Sequence, residues 1–175
     1  RAGEDAGAEP GLALVVVAPR DGLHAWAPDP DTAADWIASG IPHLYAGVLE
    51  GTGLVGPLVL PGSTACAGCM ERDRVDRDAA WPRMLVQWRS AHRRHAGAAC
   101  DLGLSTAVAG LAAAHALAFL DGRLPASTAS RWEAALPALH WDSTPVHPHP
   151  DCPCGAAAEP TAPGAPAPLM QSGGH

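Results

Sequence analysis

The sequence predicts an α/β fold, a mixed sheet flanked by helices and closed by a CxxC/CxC pair of zinc knuckles. Three observations carry that expectation. Two short apolar runs, residues 12–18 and 41–49, flank a capped helical segment at the spacing of a βαβ unit, which implies a parallel pair. A glycine-containing turn then returns the chain as a third apolar run, residues 54–60, which adds an antiparallel strand. Finally, four of the five cysteines fall into two tight pairs far apart in the chain, Cys66-Ala67-Gly68-Cys69 and Cys152-Pro153-Cys154.

The elements follow in order. Residues 12–18 are short, β-branched and end at Pro19-Arg20-Asp21-Gly22, which predicts a strand buried on both faces. Residues 31–39 read as a helix capped at Asp29 or Asp31 and stopped by Gly40. Glu50-Gly51-Thr52-Gly53 is a hairpin turn; it matches neither dinucleotide nor P-loop glycine spacing, and no helix follows it. Beyond the first cysteine pair, Glu71 to Asp78 alternate in charge as an exposed, salt-bridged segment would. Trp81, Met84, Leu85 and Trp88 then share one helical face. Residues 102–120 form a long Ala-rich helix ending at Asp121-Gly122, and residues 130–140 form a strand, a helical turn or both, interrupted by Pro137. Residues 1–11 and 155–175, rich in Ala, Gly and Pro and without periodicity, are expected to be disordered tails around a folded unit at 12–154.

Length and charge narrow the functional classes. A chain of 175 residues suits one domain of ordinary size. Lys and Asn are absent and Arg is plentiful, a GC-rich bias rather than a phosphate-binding signature, and a net charge of −7 argues against a nucleic-acid surface. Residues 102–120 are interrupted by Gly, Ser, Thr and His, which favours a buried helix over a membrane span. The chain opens at Arg1 rather than Met, so a processed chain or a fragment is expected. No charged-then-apolar leader precedes the first strand. A cytoplasmic location follows, and there paired cysteines favour metal over disulfides.

The cysteine pairs carry the chemistry. Two knuckles flanked by Gly and Pro can close a tetrahedron of thiolates on one Zn2+, giving Cys66, Cys69, Cys152 and Cys154 as the ligand set. His147 and His149, just before the second pair, could replace one thiolate. Cys100, the unpaired cysteine, reads as a small buried residue at a helix start, His115 as a satisfied core histidine, and His92-Arg93-Arg94-His95 as a solvated helix end.

Taken in order, the strand, helix, Ile41-Pro42 strand, hairpin, CxxC, Ala-rich helix and His149-Pro-Asp-Cys-Pro-Cys-Gly155 resemble the second half of the ThiF/MoeB/HesA-like activating enzymes, relatives of ubiquitin-activating enzymes. That family holds zinc with CxxC and a later pair in the context P-x-C-P-x-C-G. Residues 50–62, Cys66-x-x-Cys69 and Arg77-Asp-x-x-Trp-Pro82 are similar to actinobacterial ThiF-like proteins of azole-forming (TOMM, or bacteriocin cyclodehydratase) peptide clusters. The resemblance spans about residues 12–155 and implies a partial Rossmann-like mixed sheet. It departs in two places. The family's glycine-rich nucleotide loop and its ATP-gripping Arg and Lys have no counterpart here. The family's Asp for the Mg-nucleotide aligns with Arg20, with Asp21 one position later as a residual nucleotide or Mg2+ position. The resemblance therefore implies an accessory, non-catalytic protein that binds or presents a precursor (leader) peptide to a partner cyclodehydratase. Two alternatives stand beside it: an ATP- and Mg2+-dependent adenylyltransferase whose nucleotide half lies upstream or on a partner chain, and a purely structural zinc protein. An exposed sheet edge makes a homodimer or partner contact an expectation; no nucleic acid or membrane partner is expected.

Overall fold

The computed structural model describes residues 11–20, 22–92 and 100–157, leaving out the side chains of 91 and 92. Asp21, residues 93–99 and the ends at 1–10 and 158–175 lie outside the described residues, and with them most of both expected tails and of the His92–His95 cluster. Five strands form one sheet in the order β1 (Val15–Val17), β2 (His43–Leu49), β3 (Thr52–Val59), β4 (Ser130–Ala135), β5 (Trp141–Pro145). Around it lie α1 (Leu23–Trp26), α2 (Pro30–Ala38), α3 (Ala67–Arg77), α4 (Trp81–His92) and α5 (Leu102–Leu120).

The sheet is mixed, as expected from the sequence. β1 pairs parallel with β2, Val15 opposite His43 and Val17 opposite Tyr45, while β2–β3, β3–β4 and β4–β5 are antiparallel. The helix between β1 and β2 is capped by Asp29, whose side chain accepts from the Asp31 amide at 3.1 Å, and Pro30 occupies the first helical position. Glu50 and Gly51 make the β2–β3 connection, with Glu50 at a φ of +54°. β5 and the short helix α1 have no counterpart in the sequence reading.

Period-two alternation sorts the strand side chains between two layers. Leu44, Ala46, Val55 and Leu58 meet Leu104, Val108 and Ala112 of α5 on one side. Tyr45 and Val59 face the start of α3 on the other. The contact with α5 is close because Gly53 has no side chain: a Cβ there would lie 2.6 Å from Val108 Cγ2 and 2.8 Å from Leu104 Cδ1. Asp101 caps α5 by accepting from the Leu104 amide at 2.8 Å.

Four expectations are corrected by packing. β1 is not buried on both faces: it ends the sheet, and Val16 is 47% exposed. α5 is not a buried helix: it presents Leu104, Val108 and Ala112 to the sheet and leaves Leu102, Leu117 and Leu120 exposed. By length and composition it would be apolar enough to cross a membrane. On α4, Trp81 and Leu85 are buried and Trp88 packs beside them, but Met84 turns outward. The charged run on α3 is not wholly solvated either. Arg74 lies over the Trp26 ring at 4.5 Å and the Trp81 ring at 5.1 Å and donates to the Trp26 carbonyl at 2.6 Å. Burial lowers its pKa to about 10, with repulsion from Arg131 adding to the shift.

His43 sits fully buried in β2, its Nδ1 3.1 Å from the Ile41 carbonyl and its ring against Trp36 and Tyr45. Burial lowers its pKa, outweighing the bond to Ile41. Below about pH 6.5 the unfolded chain therefore takes up a proton that the folded chain resists, and stability falls as pH drops toward the lowered value. Unfolding free energies from urea titrations between pH 7 and pH 5 should fall by at most about 1.4 kcal/mol per pH unit from this group. A His43→Gln variant should lose that slope. For α5 docking, two alanine substitutions should have opposite signs. Gly53→Ala should destabilise by about 1–3 kcal/mol through overpacking against Leu104 and Val108. Gly110→Ala, on the open face where a Cβ meets nothing within 4 Å, should stabilise by about 0.5–1 kcal/mol through helix propensity. Chemical denaturation at constant m-value reads both.

Candidate metal centre

β3 runs out at Val59, and the Thr64 hydroxyl turns the chain by accepting from the Leu60 amide at 2.8 Å. The chain then enters α3 with Cys66 as its N-cap residue and Cys69 in the first turn. The helix start holds partial positive charge, which favours thiolates there. From the other end of the fold β5 leads through Val146 to a turn in which the Cys152 amide donates to the His149 carbonyl at 3.0 Å. That turn lays Cys152 and Cys154 over the start of α3.

All four sulfurs lie within 4.8 Å of one another. Cys66 Sγ is 3.8 Å from Cys69 Sγ and 3.6 Å from Cys152 Sγ, and Cys69 Sγ is 3.5 Å from Cys154 Sγ. These distances are too long for a disulfide bond, whose S–S length is about 2 Å, and all five cysteines are free. They suit four ligands on one ion, since zinc–sulfur bonds of about 2.3 Å in a tetrahedron separate the sulfurs by roughly 3.8 Å. Cys66, Cys69 and Cys152 are buried, and Tyr45, Val59, Ala65 and Met70 pack around them.

The thiols are electrostatically uneven. A hydrogen bond from the Cys66 thiol lowers Cys69 to about 4, against the opposing effect of burial. The same bond, followed by burial, raises Cys66. Burial is also the main cause that raises Cys154. A site in which one thiolate forms readily and its neighbours resist is one that a cation would complete.

The histidines are not in the sulfur cluster. His149 Nε2 pairs with Asp76 Oδ2 of α3 at 2.9 Å, and its Nδ1 accepts from the Asp151 amide at 3.1 Å, so it shapes and anchors the second knuckle instead of replacing a thiolate. His147 is exposed. Cys100 is exposed too, not buried; its sulfur accepts from the Ser105 hydroxyl at 3.2 Å just ahead of the α5 cap. His115 is half-buried with its Nδ1 unpartnered among the described residues, so it is not the satisfied core histidine expected. Asp21 lies outside the described residues. Its neighbour Arg20 lines a cleft of about 460 Å3 between β1, β2 and α5, together with Val16, Val48, Cys100, Ser105 and Val108.

Sequence reasoning missed the contacts of α3 beyond its cysteines. Arg72 stands one turn after Cys69 and Asp76 one turn further, a spacing of three to four that puts them on one helical face. That periodicity was readable, but their partners on the far tail were not.

The comparisons with known proteins agree with the fold. A search of curated proteins gives no match. Similar solved structures include E. coli MccB with ATP, 19% identical, covering 82% of this chain and 39% of that one at a TM-score of 0.61. The microcin C7 biosynthetic enzyme MccB in complex with N-formylated MccA is 19% identical, with 82% and 41% covered and a TM-score of 0.60. A heterocyclase in complex with substrate and cofactor is 18% identical, with 82% and 21% covered and a TM-score of 0.61. The chain thus spans about two fifths of the MccB chains. The model of the ThiF family matches residues 31–154, from α2 to the last cysteine of the cluster. The chain belongs to the ThiF family.

Proposed function

We propose that this chain is an accessory ThiF-family protein whose four cysteines hold one structural Zn2+ and which binds or presents a precursor peptide for a partner cyclodehydratase in azole-forming peptide biosynthesis. The observation that carries the reading is the convergence of Cys66, Cys69, Cys152 and Cys154 within 4.8 Å, which ties the ends of a fold spanning only part of its relatives. Four cysteine ligands favour zinc over magnesium or calcium, which prefer oxygen. When bound, the ion supplies a crosslink between α3 and the tail after β5 and no reactive position. Peptide handling is supported by the similar structures, since MccB is seen with MccA and the heterocyclase with its substrate. A cytoplasmic location, where thiols stay reduced, suits this site.

A second reading has a specific observation in its favour. The cleft is lined by Arg20, the slot at which the family resemblance puts the aspartate of the Mg-nucleotide, and MccB is seen with ATP. An adenylyltransferase of this type would take its nucleotide-gripping half from an upstream segment or a partner chain placed against β1, the terminal strand of the sheet. Arg20 itself would repel Mg2+, which favours the accessory role.

Elemental analysis of the purified chain should find about one equivalent of zinc. Cobalt loading should give thiolate-to-cobalt charge-transfer bands and the visible absorption of a tetrahedral site. Cys69→Ser should abolish that spectrum and lower the melting temperature to that of chelator-treated wild type. Retention of one tightly held equivalent by the variant would remove the cluster from the proposal.

The functional readings separate in two assays. Fluorescence anisotropy with labelled precursor peptides from azole-forming clusters should give saturable binding in the absence of ATP. Peptide-dependent ATP–pyrophosphate exchange should be absent for the chain alone. Exchange at enzyme-like rates would establish the second reading, and no binding to any such peptide would overturn the first.

A further inference from the structure

Arg72 is built into the sulfur cluster without being one of its ligands. It follows Cys69 by three residues on α3, so its side chain rises on the cysteine face. Its Nη1 donates to the Gly68 carbonyl at 3.1 Å and reaches Cys152 Sγ at 3.8 Å, on the knuckle contributed by the far end of the chain. Gly68 eases this approach, because a Cβ at that position would lie a tight 3.1 Å from Arg72 Nη1 and 3.2 Å from Cys152 Sγ.

The partners of Arg72 differ from those of its neighbours. Arg77 pairs with Asp73, Arg89 with Asp29 and Arg131 with Glu133. Among the described residues Arg72 has no carboxylate partner; the acceptors it meets are one carbonyl and one sulfur. A guanidinium is always charged and only weakly hydrated, so it can sit half-buried against a soft anion. Four thiolates around a divalent ion formally leave a net charge of about −2. Within the contacts of this cluster Arg72 is the cation that offsets it.

We propose that Arg72 is the positioning residue of the metal centre: its guanidinium bonds the Cys152 thiolate from outside the coordination sphere, holds the second knuckle in register with α3, and slows both loss of the ion and attack on the sulfur. A thiolate that accepts an N–H bond is less basic and less nucleophilic, so it exchanges and alkylates more slowly. The Asp76–His149 pair one turn along α3 anchors the same knuckle from its other side. This rests on the zinc reading, because a metal-free cluster would have no bound ion to retain.

The test uses the full chain loaded with one equivalent of zinc, comparing wild type, Arg72→Gln and Arg72→Lys. Transfer of zinc to a chromophoric chelator and alkylation by iodoacetamide are both followed in time, with melting temperatures taken with and without metal. Arg72→Gln should release zinc about 10-fold faster or more, with alkylation accelerated in parallel. Arg72→Lys, which keeps the charge but loses the fork, should restore most of both rates. The melting temperature of the Gln variant should fall in the loaded form and match wild type in the stripped form; a packing role alone would lower both equally. Wild-type rates in loaded Arg72→Gln, or a Lys variant as labile as the Gln variant, would overturn the role of Arg72 while leaving the zinc site intact. A wild-type chain that takes up no zinc would overturn the site and this role together.

Discussion

The structure depends on one juncture: the start of α3 and the tail after β5 meet at four sulfurs. Neither segment has a regular partner of its own there. The described tail, residues 146–157, adds no further strand to the sheet, and the first turn of α3 begins shortly after the β3 exit. What brings them together is a small apolar bed of Tyr45, Val59, Ala65 and Met70, the Asp76–His149 pair and the cysteines themselves. The apolar bed contributes modestly, since a fully buried Val or Met is worth about 1.5–3 kcal/mol. Clustering four thiols costs desolvation that hydrogen bonds among them only partly return. A cation changes that balance, because its binding free energy becomes folding free energy. The loop that it would close runs from α3 through α4, α5 and two strands. A crosslink across so long a segment constrains the unfolded chain strongly.

The remainder of the fold is asymmetric about its sheet. On the α3 side Arg74 stacks on Trp26 of α1 and Trp81 of α4, and Trp26 lies 5.6 Å from Trp81 and 5.5 Å from Trp88. On the other side α5 covers β2 and β3 through a narrow stripe, and its far face stays apolar and exposed. A helix apolar all round is ordinarily covered all round. The parallel edge at β1 poses the same question, because parallel pairs are normally buried on both faces. The Arg20 cleft lies between β1 and α5, lined by Val16 of β1 and by Ser105, Val108 and Ala109 of α5, while Val17 of β1 packs against the cysteine cluster.

Most of this was legible in the sequence, and the failures share a physical origin. The βαβ unit, the hairpin and the Asp29 cap are local: each depends on residues within a few positions, and spacing reports them. The cysteine pairs were legible because metal knuckles carry their own punctuation in Gly and Pro. β5 was not, because Trp141–Pro145 is polar, short and exposed, and it is a strand only through its pairing with β4. The exposure of Val16 and of α5 was hidden for the opposite reason. Hydrophobic composition signals that a segment should be covered, but not whether the described chain supplies the cover. His149 was legible as a residue near the cluster and not as the partner of Asp76, since helix α3 and the tail are distant in sequence. Arg72 was obscured by the alternating charges around it, which made one cation aimed at sulfur look like any other.

The composition of the cluster bears on where activity would reside. A catalytic zinc keeps one coordination position for water or substrate, and its site opens to solvent. Here the four sulfurs leave no such position: Cys69 is fully buried, Cys66 and Cys152 nearly so, and the cation beside them belongs to an arginine whose other bond goes to a backbone carbonyl. His149, a nearby group able to carry a proton, is committed to Asp76. Apart from the sulfurs, β1 and α5 border a cleft lined by Arg20, which supplies a positive charge there. That charge favours an anionic or carboxylate-bearing partner and opposes a bare divalent ion at the same spot. Under the proposed accessory role, an arginine in the place of the family's metal-binding carboxylate would disfavour the nucleotide-bound Mg2+ that adenylation needs, and this is the physical reason to prefer that role over the adenylating one.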